Sequence, residues 1–103
     1  MARARQYFER AVTADPGSSQ AHAGLAAVAF KSGDRRAAIA AWTKAVELDP
    51  ANYDALYNLA TTLEEEGQGG AARPYAERFV ASAPPALYTR EISDLSRWLQ
   101  SRR

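Results

Sequence analysis

Cysteine is absent from the 103-residue chain, histidine and methionine occur once each, and lysine occurs twice against eleven arginines. The lack of cysteine excludes disulfides and thiolate metal sites and leaves the compartment open, with the cytoplasm favoured. No uninterrupted apolar run exceeds the length of Leu25 to Phe30, which is far shorter than the roughly 20 residues a membrane span requires. The opening Met1-Ala2-Arg3-Ala4-Arg5 leads into no apolar signal core. The chain therefore reads as soluble, without a membrane or targeting segment. Isoleucine and valine are scarce, whereas alanine supplies 23 residues. Alanine has the highest intrinsic helix propensity, and its methyl group lets two helices approach closely, so this composition favours packed helices over sheets. The length suits one domain. The preference for arginine over lysine fits a GC-rich bacterial coding sequence.

Self-comparison organises the rest. Pro16, Pro50 and Pro84 are evenly spaced along the chain, and the triplets Ala4, Ala38, Ala72 and Val12, Val46, Val80 repeat the same interval. Setting residues 19–52 against 53–86 without a gap aligns eight identical residues: Ala21/Ala55, Leu25/Leu59, Ala26/Ala60, Gly33/Gly67, Ala37/Ala71, Ala38/Ala72, Val46/Val80 and Pro50/Pro84. All are small, apolar or chain-breaking, and the polar positions vary. A stack of like units must keep the residues that touch its neighbours while its exposed face is free to change. Within the first unit Ala21, Leu25 and Val28 form one stripe at helical spacing, and Ala38, Trp42, Ala45 and Val46 form a second. Leu25 and Leu59 are expected in the inter-helix core.

Chain breakers divide each unit into two helices. Gly33 and Gly67 stand where a helix end calls for a left-handed residue, and Asp34 is placed to cap the helix that follows. Asp15-Pro16, Asp49-Pro50 and Ala83-Pro84-Pro85 end the second helices, with Ser18 or Ser19 and Asn52 as caps for the next ones. With this pattern the chain resembles the tetratricopeptide repeat family. Its recurrent positions hold Leu25-Ala26, Gly33, Ala38, Trp42, Ala45 and Pro50 in one repeat and Leu59-Ala60, Gly67, Ala72, Phe79 and Pro84 in the next. The departures are His22 and Leu56, where the family places a large aromatic, and an inverted large/small pair at Ala76 and Phe79. The resemblance implies an all-α right-handed solenoid: a second helix of a partial repeat at residues 2–16, full repeats at 19–52 and 53–86, and a capping helix at 87–103.

Two segments stand outside the pattern. Pro74 is tolerable in its helix only if that helix begins near Ala71, which makes Gln68-Gly69-Gly70 a loosened connection. At the start, a lone second helix leaves Tyr7, Phe8 and Ala11 without a partner. This predicts either a piece of a longer array or a homo-oligomer formed through that face.

Catalysis finds no support. His22 has no second histidine or cysteine to share a metal and no nucleophile beside it, so a packing role is expected. No Gly-Lys-Ser follows Gly67-Gln68-Gly69-Gly70, and Glu64-Glu65-Glu66 lack the contrasting environments that acid/base work needs. No cofactor or metal is expected. The resemblance instead implies protein–protein interaction, with the first helices lining a concave groove for a peptide or protein segment. Its groove positions fall on Gln20, Ala23, Ala27, Phe30 and Lys31, then Asp54, Tyr57, Asn58, Thr61, Glu64 and Glu65. Phe30 and Tyr57 are the candidate apolar anchors, although Phe30 suits the core equally. Of the family's carboxylate-clamping positions only Asn58 is matched, Ala23 and Ala27 standing at the others, so acidic tails are not expected as ligands.

Charge is segregated: residues 1–36 carry net +3, residues 37–72 carry −5 and residues 73–103 carry +3. Three glutamates at a helix C-terminus sit against the negative end of its dipole. They are either neutralised by Arg35 or Arg36 or await a basic partner. The alternative is nucleic-acid binding or self-association through Arg3, Arg5, Arg10, Arg97, Arg102 and Arg103, against which the acidic middle argues.

Overall fold

The computed structural model describes residues 2–101, which form six helices and, among the described residues, no strand. These are α1 (Ala2–Ala14), α2 (Ser19–Lys31), α3 (Arg35–Leu48), α4 (Tyr53–Glu65), α5 (Gly69–Ser82) and α6 (Thr89–Ser101). Arg102 and Arg103 lie outside the described residues. Each helix packs on its predecessor and its successor, giving an elongated α-solenoid of 41 × 27 × 19 Å.

Local chemistry sets the helix boundaries. The Ser18 Oγ accepts from Ala21 N at 3.1 Å, Asp34 from Ala37 N at 3.1 Å and Asn52 from Ala55 N at 3.2 Å, each satisfying one of the free N–H groups of a first turn. At the opposite ends, Gly33 (φ +86°) and Gly67 (φ +77°) adopt the left-handed conformation. Asp34 N then reaches Ala29 O at 2.9 Å and Gln68 N reaches Leu63 O at 2.8 Å, closing two equivalent Schellman turns. The proline breaks also repeat: Asp15 accepts from Gly17 N and Asp49 from Ala51 N, the same local turn in successive units.

Packing relies on alanine. Ala26, Ala38, Ala45, Ala55, Ala60, Ala72 and Ala76 are all buried and bring the backbones together around Leu56, Leu59, Trp42 and Phe79. The Phe79 side chain is enclosed by Tyr53, Tyr57 and Tyr88, with ring centroids at 6.3, 5.5 and 5.4 Å. The inverted Ala76/Phe79 pair thus puts its aromatic at the junction of α4, α5 and the start of α6. A hydrogen-bond bridge ties the start of α2 to α3 and to the cap of α4: Ser19 Oγ donates to Ala45 O at 2.7 Å and accepts from Asn52 Nδ2 at 2.8 Å.

Three expectations need correction. Leu59 is fully buried, but Leu25, its counterpart in the preceding repeat, is only half-buried. Its neighbour Gly24 faces Phe8 of α1, and α1 contributes no fully buried residue, so this end of the stack is packed more thinly. Second, Phe8 is not left without a partner: its ring fills the space over Gly24, Ala11 is half-buried, and of the three residues only Tyr7 is exposed. Third, α5 begins at Gly69, not near Ala71, so Pro74 lies inside the helix. Its ring nitrogen has no hydrogen for the Gly70 carbonyl four residues back. Gly70 is exposed and has no side chain, which lets solvent reach that carbonyl.

Candidate docking groove

The helix α4 presents Asp54, Tyr57, Thr61 and Glu64 at successive spacings of three, four and three residues, which places them on one stripe. The repeat register carries this stripe onto its neighbours. Gln20 of α2, Asp54 of α4 and Tyr88, just before α6, line one hollow of about 360 Å³ together with Ala23, Asp49 and Asn52. In it the Tyr88 hydroxyl donates to Asp54 Oδ1 at 2.9 Å. At the other end of the stripe Tyr57, Thr61 and Glu64 face Asp94, Leu95 and Trp98 of α6 across a cleft of about 150 Å³. Glu64 and Trp98 continue into a third hollow, about 260 Å³, closed by Gly69, Gly70 and Arg73.

Electrostatics around α4 are dominated by carboxylates. Burial first, then Asp94 and Glu91 of α6, push the Tyr57 phenol above its usual value of 10.0, opposed by Arg90. Burial, with the hydrogen bond to Asp54, does the same to Tyr88. Both shifts arise because a phenolate here would be poorly solvated and would face negative charge. The glutamate run at the end of α4 is partly neutralised within the chain, since Arg35 reaches Glu65 at 3.3 Å and Glu66 at 3.6 Å. These pairs are partly exposed, so each contributes less than about 1 kcal/mol. The Trp98 indole N–H is buried without an acceptor, a cost of about 1–3 kcal/mol that the packing of α6 must offset.

The residues expected to line the groove separate into groups. Gln20, Ala23 and Asp54 meet at the first hollow, and Tyr57, Thr61 and Glu64 at the cleft beside α6. Asn58 is half-buried next to this stripe, while Ala27 and Lys31 are exposed on α2 and line none of these three hollows. Phe30 packs on Trp42 at 5.7 Å, with the Arg35 guanidinium over its ring at 4.5 Å, which occupies it as an anchor. Tyr57 rests one side on Phe79 and is half-buried. Glu65 is held by Arg35. Residues not anticipated in the groove include Asp49, Asn52, Arg73, Tyr88, Asp94, Leu95 and Trp98. For three of them the signal was the repeat interval: Tyr88 stands one interval beyond Asp54, Leu95 beyond Thr61, and Trp98 beyond Glu64.

Other candidate chemistry is bounded by position. His22 is half-buried with its Nε2–H on Pro16 O at 3.0 Å. Among the described residues no group of three or more His, Asp or Glu is placed to hold a metal ion, and no helix is long and apolar enough to cross a membrane. Arg3, Arg5 and Arg10 lie on α1, which opens the stack, and Arg97 lies on α6, which closes it. Among the described residues these arginines thus lie on the first and last helices of the chain.

A family model for the tetratricopeptide repeat matches residues 1–34 and 24–86. The chain belongs to the tetratricopeptide repeat family. Two crystal structures of MamA share its fold, each with a TM-score of 0.75 and 22% sequence identity. The alignments cover 95% and 94% of this chain but only 55% and 58% of those structures, so the chain spans little more than half their length. Comparison with curated proteins gives no match. Tetratricopeptide repeats serve as protein-interaction scaffolds, and the stripe on α4 runs along three hollows of this one, while two larger hollows, about 510 and 430 Å³, lie along α1.

Proposed function

We propose that this tetratricopeptide repeat domain docks a basic segment of a partner protein in the groove formed by α2, α4 and α6. The observation that carries the reading is the α4 stripe, Asp54-Tyr57-Thr61-Glu64, flanked by Asp49 on one side and Asp94 on the other. Carboxylates on a rigid helical wall favour cationic side chains, and aromatic faces beside them add contact area at small entropic cost. The helices are fixed by packing and capping, so the wall is largely preformed and little ordering opposes binding.

The test is calorimetric titration with a capped basic peptide at low and at physiological salt. Binding is expected to weaken as ionic strength rises. Asp54→Lys combined with Glu64→Lys should abolish it while leaving the helical circular dichroism intact. Affinity unchanged by salt and by both charge reversals would remove the groove from this role.

A further inference from the structure

The α4 stripe connects two separate hollows, and each has its own acidic group. The first holds Asp49 and Asp54 near the start of α4. The second is the cleft between α4 and α6, with Ala60 and Leu95 as an apolar floor, Tyr57 and Trp98 as aromatic walls, and Glu64 and Asp94 at its polar edge. An apolar floor with carboxylates at the rim suits one side-chain type, a long aliphatic stem ending in a cation. Aromatic walls strengthen that match through cation–π attraction. Arg73, paired with Glu77 at 3.6 Å, stands in the hollow beyond Glu64 and sets a cationic limit to the acidic track.

Resting on the docking role proposed above, the geometry points to a two-pronged recognition of an extended segment: one arginine or lysine enters the α4/α6 cleft and a second engages Asp49 and Asp54. The spacing follows from helix dimensions. Asp54 and Glu64 are ten residues apart on one stripe, about 15 Å along the axis. An extended peptide advances about 3.3 Å per residue and points alternate side chains the same way. Basic residues four positions apart therefore span about 13 Å and project to one side. Two positions apart they fall short, and eight apart they overshoot.

The probes are acetylated, amidated twelve-residue peptides of alanine, serine and glycine with two arginines spaced by two, four or eight positions. Trp98 emission reports occupancy, since the other tryptophan, Trp42, is buried in the core. The four-residue spacing should bind at least fivefold tighter than the other two and change Trp98 emission, a change lost in Trp98→Phe. Asp94→Asn and Asp54→Asn should each weaken that peptide three- to tenfold and erase the spacing preference. Glu47→Gln, which removes an exposed charge from α3, should leave it intact. Equal affinity for all three spacings, or indifference to Asp94→Asn, would overturn the two-pronged reading and leave the docking role standing. Absence of binding by every peptide would overturn both.

Discussion

The ring of Phe8 lies so close over Gly24 that a methyl group at position 24 would collide with Phe8 Cε1. This close approach seats α1 on α2. In an open helix interior, Gly→Ala stabilises by about 1 kcal/mol through backbone entropy, whereas overpacking costs about 1–3 kcal/mol. Gly24→Ala is therefore expected to destabilise the chain by about 1 kcal/mol, but to stabilise it by a similar amount when Phe8→Ala has removed the ring. Urea denaturation of the four proteins of this double-mutant cycle checks the sign reversal.

The two equivalent leucines differ in surroundings. Leu59 is completely enclosed and Leu25 half-buried, so Leu59→Ala should cost about 2–5 kcal/mol and Leu25→Ala less than about 2 kcal/mol. Chemical denaturation measures both. Equal losses would contradict the thinner packing at the α1 end.

Asn52 does two tasks at once, capping α4 through Oδ1 and bonding Ser19 through Nδ2. Asn52→Ala should cost about 1–2 kcal/mol, and Asn52→Asp should recover the capping share but not the bond to Ser19. Thermal melts of the two variants separate the contributions.

Alkaline pH should weaken the fold. The phenols of Tyr57 and Tyr88 are held above 10.0, so their contribution is intact below that value. As pH rises past it, the unfolded chain releases these protons before the folded one does, and stability falls until the folded groups ionise too. Melting temperatures followed from pH about 8 upward should be level and then decline, less steeply in Tyr88→Phe. Ultraviolet titration should show Tyr57 and Tyr88 ionising above the usual phenol value, a component reduced in Tyr88→Phe.

Much of the scaffold was legible because it is written in local chemistry that recurs at a fixed interval. Gly33 and Gly67, the Asp-Pro breaks and the caps Ser18, Asp34 and Asn52 act through their own neighbours in the chain, so spacing alone places them. Residues that depend on distant partners were less legible. Pro74 sits inside α5 because Gly70 and solvent accommodate it, and Phe8 turns inward because position 24 has no side chain. Phe30 is engaged by Trp42 and Arg35, a relation no periodicity within α2 reveals. The groove was legible along α4 and incomplete beyond it, because α6 lacks the small-residue signature of the repeats while keeping their interval.

The start of α5 differs from those of α2, α3 and α4. It has no side-chain cap, opens with two glycines and loses one internal bond at Pro74. Trp98 of α6 leans on Gly69, with position 69 within 3.7 Å of its ring. Amide protons in this turn should exchange with deuterium sooner than those at the other three starts, and each such opening loosens the seat of α6. Through Trp98, the wall that carries Asp94 thus rests on the least secured of these four helix starts, directly behind the face that borders the cleft.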